Sequence, residues 1–200
     1  MISSILLAAG QSLRMKDENK LIKEINGIPL IKYAAKNILA SAVDEIIVVT
    51  GHENKKIEDA IGIHKKIRFV YNKDFKSGIS SSIKTGLHSI SKKTDAFFIS
   101  LGDMPNVNQN IYNKLIKSRE NYNKKLKLKH KKEIIIPTHE GKEGNPVLFS
   151  KFMKDQIMLL EGDLGARKII ELNKNKILNV PFHNEGISLD FDTQDNFSSL

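Results

Sequence analysis

The amino-acid sequence predicts a doubly wound α/β domain on a mostly parallel sheet, and three observations carry that expectation. Short, predominantly apolar runs recur at Ile2–Ala8, Glu45–Thr50, Ile67–Tyr71, Ala96–Leu101 and Glu133–Pro137. Segments with apolar residues at helical spacing lie between them, the pattern of strands buried on both faces and joined by crossover helices. Clusters of glycine and polar residues follow several of these runs, and in open α/β sheets ligands collect outside the carboxyl ends of the strands.

The elements follow in order. Ile2–Ala8 is the first strand; no basic residues precede it, so it does not read as a signal peptide. It leaves through "LAAGQS". Pro29–Leu39 is the first helical pattern, and Glu45–Thr50 the second strand, ending at "GH" (Gly51). Ile67–Tyr71 is the third strand, and Ile79, Ile83, Leu87 and Ile90 then line one stripe of a helix. The fourth strand, Ala96–Leu101, runs into "GDMP" (Gly102–Pro105). Arg119–Lys132 reads as a helix end followed by a basic loop, Glu133–Pro137 as a further core strand, and "GNPV" (Gly144–Val147) lies between two later apolar runs. The 200 residues, 40% apolar, suffice for one domain over 1–200, whereas two would each be small.

Composition excludes several classes. No stretch approaches the roughly 20 apolar residues that a membrane-crossing helix needs. There is no cysteine, which removes disulfides, thiolate metal sites and cysteine nucleophiles and is consistent with a cytoplasmic protein. The formal charge is +9, much of the excess lying in Lys124–Lys132 (KKLKLKHKK). Such a tract could meet nucleic acid, but a solvated lysine-rich surface explains it as well. The six histidines are dispersed, without the HExxH spacing of a zinc site.

The chemistry-bearing stretches point to an anion and a hard metal. In Leu7–Lys20, the residues Leu7, Ala8, Ala9 and Gly10 let backbone approach a ligand with amides aimed at phosphate oxygens, Ser12 sits beside them, Arg14 offers a bidentate fork and Lys20 a mobile point charge. An ordinary strand-to-helix turn with surface cations has the same appearance. Neither a P-loop pattern nor GxGxxG follows the first strand. Asp103, between Gly102 and Pro105, is a carboxylate on a rigid support, suited to Mg²⁺; the competing role is a cap for the helix near Asn108. Asp190 and Asp192 in "SLDFDTQDNF" share a face in a strand, an unfavourable pairing without a cation between them, and one of them could join Asp103; Thr193 and Asp195 read as caps. Ser80, Ser81 and Ser82 open a helix and offer hydroxyls and amides to a sugar or base edge. Arg167 in "GDLGARKII" could hold a second anionic substrate, or lie on a surface turn.

"LAAGQSLRM…NKL", "GISSSIKTG", "LGDMP", "GNPVLFS", "GDLGAR" and "LDFDTQD", in this order and over nearly the whole chain, resemble the MobA-like nucleotidyltransferases, most of all their molybdenum cofactor cytidylyltransferase branch. The resemblance implies a Rossmann-like three-layer α/β/α fold of the nucleotide-diphospho-sugar transferase (glycosyltransferase-A) type, with a mostly parallel mixed sheet. It implies Mg²⁺-dependent transfer of CMP from CTP to molybdopterin with release of pyrophosphate. Arg14, Lys20 and Asp103 would be the catalytic set. Leu7, Ala8, Ala9, Gly10, Ser12, Ser80, Ser81, Ser82 and Gly102 would line the nucleotide, and Asp103 with Asp190 or Asp192 would hold the metal. Gly144, Asn145, Pro146 and Arg167 would face the second substrate. A molybdenum hydroxylase or its chaperone would receive the product, and no nucleic acid or membrane partner is implied. The chain departs from the family in having Lys16 where glycine usually follows "RM", which leaves either Lys16 or Lys20 as the phosphate contact. Two other readings stand beside this one: the same scaffold acting on GTP or on a sugar-phosphate acceptor, and a basic nucleic-acid-binding accessory protein without catalysis.

Overall fold

The computed structural model describes residues 1–11, 19–124, 131–163, 165–183 and 185–189. Ser12, Arg14, Lys16, Asp190, Asp192, Thr193 and Asp195 lie outside the described residues, as does the middle of the basic tract, 125–130.

Ten strands and six α-helices are described: β1 (Ile2–Ala8), the small hairpin β2 (Glu24–Ile25) and β3 (Ile28–Pro29), α1 (Leu30–Leu39), β4 (Glu45–Thr50), α2 (Asn54–Ile61), β5 (Ile67–Tyr71), α3 (Ile79–Ser89), β6 (Ala96–Leu101), α4 (Gln109–Lys124), β7 (Ile134–His139), β8 (Lys142–Glu143), β9 (Val147–Ser150), α5 (Lys154–Met158), α6 (Arg167–Leu172) and β10 (Ile177–Pro181). The main sheet has eight strands in the order β10-β7-β9-β6-β1-β4-β5, with β8 paired to β7.

β1 is central because alternate residues serve opposite layers. Leu6 and Ala8 join the cluster formed with α1, α2 and α4, and Ile5 and Leu7 the cluster formed with α3, α5 and α6. Each buried leucine or isoleucine, taken out of water, contributes roughly 1.5–3 kcal/mol. β1 pairs in parallel with β4 and β6, so that Leu7 stands beside both Val49 and Leu101. The chain moves outward from β1 to β4 and β5, then returns to place β6 on the other side of β1. That reversal leaves a crevice at the carboxyl ends of these strands. The result is the expected three-layer α/β/α arrangement.

β9 is antiparallel to both β6 and β7, with Val147 opposite Ile99 and Ser150 opposite Ala96. Its beginning, not its end, therefore lies at the carboxyl edge of β6. Two buried hydroxyls fix the β1–β6 pairing further: Ser4 Oγ and Ser100 Oγ are 3.0 Å apart, and Tyr112 from α4 donates to Ser100 Oγ at 3.2 Å. Burial pushes the Tyr112 hydroxyl well above its ordinary range, so it stays a neutral donor. Among the described residues, no helix is long and apolar enough to cross a membrane.

Candidate active site

The site is built where β6 ends. The Gly102 amide donates to the Leu7 carbonyl at 3.1 Å, so the chain leaving β6 passes against the end of β1. A Cβ at Gly102 would lie 2.9 Å from that carbonyl oxygen and 2.6 Å from Ile31 Cδ1, an approach that only glycine allows. Beyond Asp103, Met104 is buried and the Pro105 carbonyl accepts from Asn37 Nδ2 at 2.9 Å. Asp103 is thus held on a braced turn. It is not the cap of α4: Asn108 Oδ1 accepts from the Asn110 amide at 3.0 Å and fills that role.

Opposite Asp103, Asn19 caps a short turn over Lys20–Ile22, its Oδ1 accepting from the Leu21 amide at 3.1 Å. Leu21 is buried in the α1 layer and anchors the turn. Lys20 Nζ then donates to Asp103 Oδ2 at 2.6 Å, with the two side chains only 16% and 18% exposed. Asp103 Oδ1 is buried and accepts no hydrogen bond among the described residues. A carboxylate oxygen left in this condition is costly unless a cation or donor meets it, and a hard divalent ion satisfies it. Among the described residues no cluster of three or more His, Asp or Glu side chains forms a metal cage, so the described carboxylate donor here is Asp103.

The first loop is laced to two neighbouring strand ends. Leu7, Ala8 and Ala9 are buried and Gly10 is exposed. The Ala9 carbonyl accepts from the His52 amide at 3.3 Å, just past β4, while Leu7 meets Gly102 past β6. Leu7–Gly10, Gly102, Asp103 and Lys20 therefore converge at one end of the sheet.

The serine helix is organised differently from its local sequence pattern. The α3 amides of Ile79 and Ser80 are taken by a remote loop: Asp163 Oδ1 accepts from Ile79 at 3.1 Å and the Gly162 carbonyl from Ser80 at 3.1 Å. Ser80 Oγ donates to the same carbonyl at 2.6 Å. Buried Asn72 donates to Ser81 Oγ at 2.8 Å and to Ser82 Oγ at 3.1 Å. All three hydroxyls are engaged within the chain. Gly78, at φ +97°, lets the two loops touch, since a Cβ there would lie 2.6 Å from Gly162. The local sequence around Asn72 and Asp163 carries no signal of these roles beyond the place of Asn72 just past β5.

The "GNPV" segment and Arg167 fall in different places. Gly144 donates to the Pro137 carbonyl at 2.9 Å and Asn145 to the Ile187 carbonyl at 2.7 Å, with Pro146 leading into β9. This fixes the chain just ahead of Asp190 at the carboxyl edge of β6. Arg167 begins α6, is 86% exposed and pairs with Glu171 at 3.2 Å. It does not join the Lys20–Asp103 group.

The fold is a three-layer α/β/α arrangement with a lysine and a carboxylate brought together at its strand ends. The model of the MobA-like NTP transferase domain matches residues 4–178, and the chain belongs to that family. It is 26% identical over 196 residues to the molybdenum cofactor cytidylyltransferase of Escherichia coli (strain K12), covering 98% of this chain and 93% of that protein. Among solved structures, it matches Rv0371c from Mycobacterium tuberculosis H37Rv with a TM-score of 0.82 at 19% identity, over 98% of this chain and 95% of that one. A manganese complex of Rv0371c matches with a TM-score of 0.78 at 18% identity, over 98% and 96% of the two chains. The 4-diphosphocytidyl-2C-methyl-D-erythritol synthase of Anaerococcus prevotii DSM 20548 matches with a TM-score of 0.75 at 17% identity, over 99% and 93%.

Proposed function

We propose that this protein, a single nucleotidyltransferase domain over 1–200, transfers CMP from CTP to molybdopterin in a divalent-metal-dependent reaction that releases pyrophosphate. The observation that carries the reading is Asp103: a braced carboxylate with one oxygen on Lys20 and the other buried without a partner among the described residues, beside the backbone of the first loop. The acceptor and the base rest on the similarity to the cytidylyltransferase of E. coli.

In this reading the Leu7–Gly10 backbone, Ser12, Arg14 and Lys20 hold the triphosphate, and Gly102 keeps the floor of the site close to it. Asp103, with Asp190 or Asp192, holds the metal, Mg²⁺ in the proposed reaction; a relative of this fold is described as a manganese complex. When bound, such an ion neutralises charge on the phosphates. Of the three serines that open α3, Ser81 is the one most open to a sugar or base edge, because Ser80 and Ser82 are buried. Gly144, Asn145 and Pro146 flank the acceptor, and Arg167 meets its outer part.

The acceptor's terminal phosphate is largely ionised near neutral pH, so one of its oxygens attacks the α-phosphorus of CTP without a general base. The new O–P bond forms as the α–β bridge breaks, and the electron pair leaves with pyrophosphate. The chain's task is to align two anions and offset their repulsion, which falls to Arg14 and Lys20. A cytoplasmic protein serving a molybdenum hydroxylase or its chaperone fits this chemistry.

The test is incubation with molybdopterin, Mg²⁺ and each nucleoside triphosphate in turn, with mass analysis of the products. A CMP adduct and pyrophosphate from CTP alone are expected. A GMP adduct reassigns the base, and pyrophosphate release only with a sugar-phosphate acceptor reassigns the second substrate.

A further inference from the structure

Two segments that the sequence assigns to different substrates are joined in the fold. α3 opens at its serines, and the residue in the capping position is Gly78, which has no side chain to offer the first amides. The cap comes instead from the loop ahead of α6. Asp163 Oδ1 accepts from the Ile79 amide at 3.1 Å, and the Gly162 carbonyl accepts from the Ser80 amide at 3.1 Å and from Ser80 Oγ at 2.6 Å. Glycine is required at 78, because its φ is +97° and a Cβ there would stand 2.6 Å from both Asp163 Oδ1 and Gly162. A Cβ at Gly165 would touch Ile79 Cγ2 at 3.5 Å, so the same loop also packs on the first residue of α3. The chain thus forgoes a local cap for one supplied 84 residues later.

We propose that Asp163 is a positioning residue for the nucleotide: from the loop that leads to Arg167, it seats the serine end of α3 on which the sugar or base rests. Asn72, just past β5, orients Ser81 Oγ and Ser82 Oγ, and its own amide is tied to the Thr50 carbonyl at 2.8 Å. Asp163 fixes the start of the helix that carries those hydroxyls. With both in place the nucleotide meets a wall that is already ordered, and no binding energy goes into ordering it. Without Oδ1 the Ile79 amide loses its acceptor, the first turn of α3 loosens, and the binding-competent fraction falls. The "GDLGAR" segment accordingly divides in role. Asp163 serves the nucleotide, whereas Arg167 is exposed and paired with Glu171. The inference rests on the α3 serines lining the nucleotide in the proposed function.

The experiment compares the unmodified protein with Asp163→Ala, which removes the acceptor, and Asp163→Asn, which keeps an Oδ1 acceptor. Isothermal titration calorimetry with Mg²⁺ and each of ATP, CTP, GTP and UTP gives nucleotide affinity, and pyrophosphate release with molybdopterin gives KM and kcat. Asp163→Ala is expected to bind the preferred nucleotide about fivefold more weakly, the scale on which a lost helix cap shifts a local equilibrium. Asp163→Asn should restore the affinity to within about twofold, and the KM for molybdopterin should be unchanged in both variants. In the unmodified protein, the amides of Ile79 and Ser80 should exchange more slowly once nucleotide is bound.

Equal nucleotide affinity in Asp163→Ala and the unmodified protein overturns the positioning role and leaves the proposed function standing. So does a rise in the KM for molybdopterin with nucleotide affinity unchanged, which would give the whole loop to the acceptor. A fall in kcat with both affinities intact marks a general defect of the fold and overturns the role as well, as does a loss in Asp163→Asn equal to that in Asp163→Ala. The exchange measurement needs no variant: rates at Ile79 and Ser80 that nucleotide leaves unaltered overturn the role. Failure of the unmodified protein to bind any of the four nucleotides overturns the proposed function and the inference with it.

Discussion

Lys20 Nζ lies 2.6 Å from Asp103 Oδ2, which joins residues 83 positions apart in the chain and ties the exit of the first loop to the end of β6. Replacing Asp103 by Ala is expected to lower metal-dependent pyrophosphate release by at least about 100-fold, the scale on which single electrostatic contacts to a reacting phosphate act. Circular dichroism should remain native. Undiminished turnover would remove Asp103 from the site.

Gly102→Ala should destabilise the protein by about 1–3 kcal/mol in chemical denaturation, because the new methyl meets the Leu7 carbonyl, a backbone atom with little room to move. Since the displaced turn carries Asp103, kcat should fall along with stability. Steady-state kinetics well below the denaturation midpoint separates the two effects.

Gly78→Ala places a side chain at φ +97° and within 2.6 Å of Gly162. A loss of about 1–3 kcal/mol is expected from strain and crowding together. The diagnostic is amide hydrogen exchange: Ile79 and Ser80, whose protectors are Asp163 and Gly162, should exchange faster while the β1 amides are unaffected.

Glu53 precedes α2 and is hydrogen-bonded by Lys56, whose ammonium holds its carboxyl below the ordinary value of 4.5. A carboxylate with a depressed folded-state pKa stabilises fully above its unfolded value and loses that contribution as the pH falls through the folded one. Glu53→Gln should therefore melt at a lower temperature than the parent at pH 7, and the gap should shrink as the pH falls below the ordinary value of 4.5. A gap independent of pH would assign the difference to something other than charge.

The parts of the fold that could be read from sequence are those whose signal is local. β1, β4 and β6 stand out because both of their faces are buried, which leaves apolar runs such as Glu45–Thr50. α2 is harder to see: of Asn54–Ile61 only Ile57 is buried, so its apolar periodicity is thin. The direction of β9 is not written in "VLFS" at all, since an apolar run has no polarity; it is set by pairing with Ala96–Ile99.

The site divides along the same line. Asp103 announces itself by glycine and proline around an acid past a strand, whereas its pairing with Lys20 depends on the turn that Asn19 caps. The three serines look like a helix start, and they are one. What no local pattern contains is that the cap comes from Asp163, 84 residues later, and that Asn72 takes two of the hydroxyls.

The reversed course of β9 also bears on how the protein is made. β6 lies between β1 and β9, and β9 ends at Ser150 of a 200-residue chain. During synthesis the outer edge of β6 stays without a neighbour until Val147–Ser150 has emerged, so nascent or truncated chains ending before Val147 present a bare strand edge to one another. The crevice wall beside Asp103 is accordingly among the last parts to mature, and premature termination there is expected to yield aggregates rather than a smaller working enzyme.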